Sequence, residues 1–192
     1  MNIAKQDLPI NPLPPGVVAF SDSGPTELGP VWVAVSEHGL AGVGLKLSQE
    51  AFEEDLRRHG YRRMIRDSRS TAFALQQIEE YLDGKRTGFQ MSIDWSGLTA
   101  FQKQVLQATL QIPYGQVKTY GELARGIGRP GAARAVGRAE ATNPFPLVIP
   151  CHRVLGSDGK LHGYGGGGIQ VKAWLLNLEQ TQVGLSRRQL AS

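Results

Sequence analysis

The first half of the chain alternates short apolar runs with turns and then changes to helical spacing. Three runs separated by Gly, Pro and Ser predict strands: VVAF (17–20), VWVAVSE (31–37) and LAGVGLKL (40–47). Helix start and stop signals mark two further stretches, SQEAFEEDLRRHG (48–60) and STAFALQQIEEYLDGK (70–85), while FQMSIDW (89–95) alternates as a strand does. Strands followed by helices predict a compact α/β or α+β unit, preceded by an extended arm over residues 1–16.

After Trp95 the apolar positions recur at helical spacing. LTAFQKQVLQATLQI (98–112), with Thr99 as its cap, predicts a helix. We therefore place a domain boundary near Ser96–Gly97. The chain is then an α/β domain over 1–96 and a mainly α domain over 97–192, whose last twelve residues are interpreted as a tail.

A pair of short helices is predicted in TYGELARGIGRPGAARAVGRAEA (119–141). Thr119 and Glu122 have the spacing of a capping box, Gly128 ends the first helix, and the second begins near Ala132. This is helix-turn-helix spacing, although an αα-hairpin with no nucleic-acid role gives the same pattern. The second helix is rich in Ala and Gly, with Arg134 and Arg138 as its long side chains. Small residues allow close approach to a minor groove, so any DNA binding should show little sequence preference.

Charge and composition narrow the classes of function. Residues 1–96 carry 10 Lys+Arg and 13 Asp+Glu, whereas residues 97–192 carry 11 and 4, so a net charge of −3 precedes one of +7. The basic half favours a polyanionic partner. A single cysteine excludes an intramolecular disulfide, and no signal peptide or membrane-spanning run is present, so a cytoplasmic protein is expected. Four scattered histidines and one cysteine predict no metal site.

That cysteine, Cys151, lies in LVIPCHRV (147–154). Ile149 precedes a proline and is biased to extended geometry, which predicts that Cys151 follows a buried strand. Free cysteines are commonly buried and inert, but His152 beside it offers a base if a turn or a water molecule joins the two. Glu179, at the end of the predicted last helix, is a candidate to orient that histidine. The residues alone leave both interpretations open.

The glycine run GYGGGG (163–168) contains G-x-G-x-x-G but is not interpreted as a dinucleotide site. Too few residues follow it for the rest of a βαβ unit, and no GK[ST] follows for a P-loop. A glycine-rich loop beside a nucleophile is instead expected to let the backbone line a pocket.

Several motifs together resemble one family. NPFPLVIPCHRV, GYGGGGIQVKAWLLNLE, YGELA and RAVGRA are similar to the O6-alkylguanine-DNA alkyltransferases (methylated-DNA–protein-cysteine methyltransferases) over residues 97–180. The resemblance implies a ribonuclease-H-like α/β N-terminal domain and a mainly α C-terminal domain with a winged-helix-like helix-turn-helix. It implies irreversible, single-turnover transfer of an alkyl group from O6-alkylguanine in DNA to Cys151 after base flipping, with O4-alkylthymine left open. No cofactor is implied, and the expected partner of this monomer is double-stranded DNA, bound in the minor groove.

The resemblance also implies roles for individual residues. The catalytic relay is Cys151, a water molecule, His152 and Glu179, with Asn143 fixing the turn that presents the sulfur and Tyr120 assisting rotation of the nucleotide and donating to the leaving guanine. The residues that contact DNA are Arg134 as the finger in the vacated stack, Ala133, Ala135 and Gly137 at the minor groove, and Arg138. The pocket is walled by Pro146 and Tyr164, and backbone groups of Cys151, Val154 and Gly165 read the guanine edge.

The chain departs from the family pattern at two places. The loop after Tyr164 is one glycine longer, in 165–168, which leaves the backbone donor to O6 open and widens the pocket. Glu140 stands in the recognition helix, where it is expected to weaken contact with phosphate. Relatives that bind zinc in the N-terminal domain use cysteines that this chain lacks.

Two other functions remain as alternatives. One is a damage sensor that flips the base without transfer, although such relatives lack the acceptor cysteine. The other is a cysteine hydrolase for small substrates. Stoichiometry discriminates them, because a hydrolase turns over and an alkyl acceptor stops after one transfer.

Overall fold

The structure is a computed structural model that describes residues 13–180. Most of the predicted N-terminal arm, residues 1–12, and the predicted tail, residues 181–192, lie outside the described residues. Within the described part of the chain, no helix combines the length and apolar character needed to cross a membrane.

A mixed four-stranded sheet with two helices forms the first half of the described chain. Its elements are β1 (Val17–Asp22), β2 (Val31–Ser36), β3 (Gly39–Leu45), α1 (Gln49–Arg58), β4 (Arg63–Arg66) and α2 (Ser68–Leu82). The strand order is β3-β2-β1-β4, with β4 parallel to β1 and the other pairs antiparallel. The first three strands and both helices predicted from the sequence are confirmed.

One helix covers each face of this sheet, because alternate strand residues point to opposite sides. On one face Phe20 and Trp32 pack with Phe52 of α1. On the other face Val33 belongs to the same apolar cluster as Ile78 of α2. This two-sided cover explains why β2 and β3 are buried along their whole length.

The prediction of a strand over 89–95 is wrong. Ile93 makes only an isolated bridge with Leu40. The chain then turns, because the carboxylate of Asp94 accepts from Ser36 Oγ at 2.6 Å and from the backbone N–H of Ser96 at 3.0 Å. These side-chain bonds replace further ladder bonds. Conversely, the edge strand β4 was missed, because only two of its four residues are apolar.

Helices dominate the second half of the described chain. Its elements are α3 (Ala100–Leu110), β5 (Lys118–Thr119), α4 (Tyr120–Gly126), α5 (Ala133–Ala141), a 3₁₀ helix (Cys151–Arg153), β6 (Val154–Leu155) and α6 (Ile169–Leu178). Both predicted N-caps are confirmed: the Thr99 side chain caps α3, and Thr119 and Glu122 form a complete capping box on α4. The helix pair α4–α5 has the predicted helix-turn-helix spacing.

The segment before Cys151 is a turn and not the predicted strand. Leu147 has a φ of 73°, in a region that residues other than glycine rarely adopt. Asn143 supports the turn, since its Nδ2 donates to the carbonyl of Ile149 at 3.1 Å. The 3₁₀ helix Cys151–Arg153 follows directly, so Cys151 and His152 do not alternate across a strand.

The main apolar cluster draws on both halves of the chain. Val33 and Ile78 from the first half share it with Leu106 and Leu175 from the second. The domain boundary remains a prediction, and the packing that crosses it brings α2 against the segment that carries Cys151.

Candidate active site around Cys151

The sulfur of Cys151 lies in the interior at the start of the 3₁₀ helix, with the residue only 4% exposed. Asn143 Nδ2 donates to Sγ at 3.0 Å. Burial, aided by the nearby carboxyl of Glu140, raises the pKa of the Cys151 thiol to about 12. The resting thiol is therefore protonated at neutral pH and needs a base to become a nucleophile.

His152 and Glu179 form a buried pair next to this cysteine. His152 Nε2 lies 2.8 Å from Glu179 Oε1, and both side chains are fully buried. Burial raises the pKa of Glu179, but hydrogen bonds from His152 and Arg153 outweigh it and set that pKa at about 2. Burial lowers the pKa of His152 against the pull of Glu179. A neutral imidazole with its proton on Nε2 follows, which leaves Nδ1 as the acceptor.

Two further side chains hold the carboxylate of Glu179. Arg153 Nε donates to Oε2 at 2.9 Å and Arg153 Nη2 to Oε1 at 2.8 Å. Tyr81 donates its hydroxyl proton to Oε1 and lies 3.3 Å from His152 Nε2. These partners compensate the desolvation of a carboxylate that a buried site would otherwise not tolerate.

A cavity of about 560 Å³ opens beside the loop that carries Asn143. Asn143, Pro146, Gly165 and Gly166 line one side, and residues of α1 line the other. This volume is within the range of small-molecule sites. Two predicted pocket residues, Pro146 and Gly165, therefore line one cavity with Asn143, whereas Cys151, Val154 and Tyr164 are not among the residues that line it.

Tyr164 is buried against the histidine and does not line this cavity. It is 8% exposed, and its ring meets that of His152 edge-on, with centroids 6.4 Å apart. Its hydroxyl has no hydrogen-bond partner among the described residues. Burial, followed by the charge of Cys151, raises the pKa of Tyr164, so this phenol remains protonated.

The glycine run 165–168 contains two positions that favour glycine, one because another backbone segment lies close to it and one because of its φ angle. A Cβ at Gly165 would lie 2.3 Å from the carbonyl oxygen of Ala141 at the end of α5. Gly168, which precedes α6, has a φ of 92°, where a side chain would be strained. The run therefore keeps the backbone tight against α5, as expected for a loop that lines a pocket.

Tyr120 and Lys172 lie near each other, and Lys172 contacts the backbone of Val154. Lys172 Nζ donates to the carbonyl of Val154 at 2.6 Å and lies 6.0 Å from the centroid of the Tyr120 ring. Burial raises the pKa of Tyr120 and lowers that of Lys172 to about 8. The carbonyl of Val154, predicted to read guanine, thus already accepts one hydrogen bond.

The expectation that Glu140 weakens phosphate contact is wrong, because Glu140 does not lie on the surface. It is on the inner face of α5, 4% exposed, and accepts a hydrogen bond from the Thr109 hydroxyl of α3. Its other oxygen, Oε2, has no hydrogen-bond partner within residues 13–180. Burial raises the pKa of Glu140 to about 7.

The outer face of α5 carries the residues predicted to contact DNA. Arg134, Ala135 and Arg138 are exposed, and Ala133 and Gly137 are half-buried. A Cβ at Gly137 would lie 3.7 Å from the Tyr120 ring, which places Tyr120 directly beside this face. The predicted DNA residues therefore share one surface adjoining the pocket.

Sequence reasoning missed four side chains at this site: Tyr81, Thr109, Arg153 and Lys172. For two of these side chains, the sequence contains a signal that places them near the site. Arg153 follows His152 directly, and Lys172 stands seven residues before Glu179, hence on the same face of α6 within an otherwise apolar run. Nothing local marks Tyr81 or Thr109, since both read as ordinary core positions.

Among the described residues, no group of three or more His, Cys, Asp or Glu could hold a metal ion. The fold and the site place a neutral histidine beside a buried cysteine, next to a helix pair with exposed arginines. Such an arrangement suits a protein that transfers a group from a polyanionic substrate to its own sulfur.

Comparison with known proteins supports the same class of protein. Residues 100–181 match the family model of the 6-O-methylguanine DNA methyltransferase DNA-binding domain. A methylated-DNA–protein-cysteine methyltransferase of Mycobacterium leprae is 42% identical over 156 residues, covering 81% of this chain and 89% of that protein. One from Methanosarcina barkeri is 39% identical, with coverage of 81% and 94%.

Solved structures show the same likeness. Mycobacterium tuberculosis OGT in complex with DNA superposes with a TM-score of 0.70 at 37% identity, covering 85% of this chain and 92% of that one. The O6-methylguanine-DNA methyltransferase of Pyrococcus kodakaraensis gives 0.63 at 26% identity, with coverage of 84% and 98%.

This chain belongs to the methylated-DNA–protein-cysteine methyltransferase family. It is a DNA-repair transferase that moves alkyl groups from DNA to a cysteine, and DNA is its partner. The family and function predicted from the sequence are confirmed, and its mixed sheet with helices is the fold of that family.

Proposed function

We propose that Cys151 is the alkyl acceptor and that it takes one alkyl group irreversibly from O6-alkylguanine. The observation that carries this proposal is that Cys151 is the only cysteine of the chain. Its sulfur contacts Asn143, which lines the pocket, and it adjoins the buried pair His152–Glu179. A thioether formed there cannot be hydrolysed as a thioester would be, so each protein molecule acts once.

The proposed relay deprotonates the thiol through His152. A water molecule carries the proton from Sγ to Nδ1 of His152, while Glu179 stabilises the resulting imidazolium through Nε2. The thiolate attacks the alkyl carbon, the C–S bond forms, and the bond from that carbon to O6 breaks with its electron pair moving to guanine. Tyr120, whose raised pKa keeps it protonated, donates to the leaving base.

The target atom lies within the base stack, so we propose that the nucleotide is flipped into the pocket. Arg134 fills the vacated position, and Ala133, Ala135 and Gly137 face the minor groove, with Arg138 nearby. The exposure of Arg134 and Arg138, and the small residues between them, support this docking of α5. Pro146 and Tyr164 wall the flipped base, and backbone groups of Cys151, Val154 and Gly165 read its edge.

Four further features belong to the same proposal. Binding is largely independent of sequence, because α5 offers little that reads base edges. The protein acts as a monomer. It works in the cytoplasm, where its DNA substrate would be. The two halves, divided near residue 96, have the ribonuclease-H-like and winged-helix-like folds that the resemblance implies.

The first test is intact-protein mass spectrometry after incubation with a duplex that contains O6-methylguanine. We expect a gain of one methyl group per protein molecule, which does not increase with time or excess substrate. The matched control is Cys151→Ser, which should gain nothing. An unchanged duplex that stays tightly bound by the unmodified protein would instead indicate a damage sensor, and continued turnover would indicate a hydrolase.

A further inference from the structure

Tyr81 reaches the active site from the first half of the chain. It lies on α2, 71 positions before His152 and 98 before Glu179. Tyr81 is fully buried, and its ring packs in the same apolar cluster as Ala74 and Ile78 of that helix. Its hydroxyl, however, points to a histidine and a carboxylate and not to apolar neighbours.

Glu179 receives hydrogen bonds on both oxygens. Oε1 accepts from Tyr81, from His152 Nε2 at 2.8 Å and from Arg153 Nη2 at 2.8 Å. Oε2 accepts from Arg153 Nε at 2.9 Å and from the backbone N–H of Gly115 at 3.0 Å. Among these donors, Tyr81 also lies 3.3 Å from His152 Nε2. The hydroxyl therefore touches both members of the pair at the point where they meet.

We propose that Tyr81 is a positioning residue for alkyl transfer, holding Glu179 and the ring of His152 so that Nδ1 is directed toward the proton of Cys151. The inference rests on the proposed relay and extends it to the first half of the chain. That half thereby contributes to the chemistry and not only to folding. Partners that orient a functional histidine through its second ring nitrogen typically matter in this way.

The phenol stays a donor throughout, because burial and the charge of Glu179 raise the pKa of Tyr81. Removing the hydroxyl leaves Oε1 with one donor fewer, so it accepts more strongly from His152 and raises the pKa of that histidine. The titratable or charged groups around His152 are Cys151 and Arg153 beside it, Tyr81 of α2, Tyr164 of the glycine loop, and Lys172 and Glu179 of the α6 segment.

The test compares Tyr81→Phe with Tyr114→Phe in the full chain. Tyr114 is a matched control: its ring meets that of Tyr81 edge-on at 6.2 Å, but its hydroxyl donates to the carbonyl of Leu178. Single-turnover rates are measured against pH with the free base O6-benzylguanine and with damaged duplex. We expect Tyr81→Phe to slow both reactions about tenfold at neutral pH. Its acid limb should also move to higher pH, while Tyr114→Phe follows the wild-type profile.

Three results would overturn the proposal. They are an unchanged rate in Tyr81→Phe, an equal loss in Tyr114→Phe, or a lower rate with an unmoved pH profile, which would indicate disturbed packing alone. If Tyr81→Phe does not fold, 3-fluorotyrosine incorporated at position 81 decides, because it keeps the ring but is a stronger donor to Glu179 and should move the acid limb to lower pH, whereas an unmoved limb would overturn the proposal. Failure of the proposed function looks different, because the wild-type protein itself would then form no adduct.

Discussion

Glu140 is a carboxyl group that the proposed chemistry does not use and that the protein nevertheless buries. It faces inward from α5, accepts from Thr109, and lies close enough to Lys172 and Cys151 for its charge to affect both. Burial outweighs the hydrogen bond and the attraction of Lys172, which sets the pKa of Glu140 at about 7. At a pH between the ordinary carboxyl pKa and about 7, the folded protein therefore keeps the proton on Glu140, whereas the unfolded chain has already released it.

Glu140→Gln should therefore change how stability depends on pH. Between about pH 5 and pH 7, the unfolded chain releases the proton of Glu140 before the folded protein does, so the contribution of this group to the free energy of unfolding decreases as pH rises. The variant lacks this decrease, which amounts to about 2 kcal/mol over that interval. Urea unfolding at both pH values measures the difference.

The control for this measurement is Glu27→Gln, which removes an exposed carboxyl group from a loop. It should retain the wild-type decrease between the two pH values. If Glu140→Gln retained that decrease as well, Glu140 would be ionised in the folded protein throughout, and Lys172 would be its effective partner.

At the scale of single residues, the sequence shows what is close along the chain. Asn143, Cys151 and His152 lie within nine positions, and the site brings them together as their motif predicts. Tyr81 could not be found in this way. Its contact with Glu179 depends on how α2 packs against the second half, and an apolar stripe specifies burial but not the partner of a buried hydroxyl.

At the scale of elements, the α4–turn–α5 pair separates an inner face from an outer one. Val136 and Ala139 pack inward in the cluster that also contains Leu123 of α4. The capping box at the start of α4 satisfies backbone N–H groups there and fixes where the helix begins. As a result α5 packs with its apolar residues inward and leaves Arg134 exposed on its outer face.

Arg134→Ala should separate base flipping from chemistry. If Arg134 is the proposed finger, it compensates for a few kcal/mol of unstacking, so we expect repair of duplex DNA by the variant to slow about tenfold to a hundredfold. Reaction with free O6-benzylguanine needs no flipping and should keep its rate. Single-turnover rates on both substrates make the comparison.

Arg125→Ala controls for charge, because Arg125 is another exposed arginine, at the end of α4. Rates are measured at saturating duplex, where the loss of one phosphate contact weakens binding but not the step that follows, so Arg125→Ala should have a small effect on both substrates. Equal losses on the duplex and the free base in Arg134→Ala would contradict the role of the finger.

Elements with their own start and stop signals were predictable from the sequence, and elements that depend on distant partners were not. Helices α3 and α4 begin at the threonines that cap them. The alternating residues 89–95 and the apolar run before Cys151 have the sequence pattern of strands, but the first pairs with β3 only at the bridge between Ile93 and Leu40, and the second is a turn. Side-chain bonds from Asp94 and Asn143 satisfy the backbone there instead.

At the scale of the whole molecule, charge and packing divide the chain differently. The first half is mildly acidic and the second basic, with net charges of −3 and +7, whereas one apolar cluster joins them. The positive charge relevant to DNA is concentrated near the helix pair, where Arg125, Arg129, Arg134 and Arg138 are exposed. None of the four forms an ion pair with another residue in the described range.

This distribution predicts how the protein binds undamaged DNA. If three of these arginines contact phosphate while Arg134 enters the stack, the logarithm of the binding constant should fall with the logarithm of salt concentration at a slope of about −3. Duplexes of different sequence should differ in affinity by no more than about threefold, because the only long side chains on the outer face of α5 are Arg134, assigned to the stack, and Arg138, assigned to phosphate, which leaves none to read base edges. Fluorescence anisotropy with several duplexes over a salt series measures both quantities.

Arg129→Ala should reduce the slope by about one unit on every duplex, since the loss of a phosphate contact is independent of sequence. A marked preference for one sequence, or a slope near zero, would mean that α5 reads DNA by a different geometry.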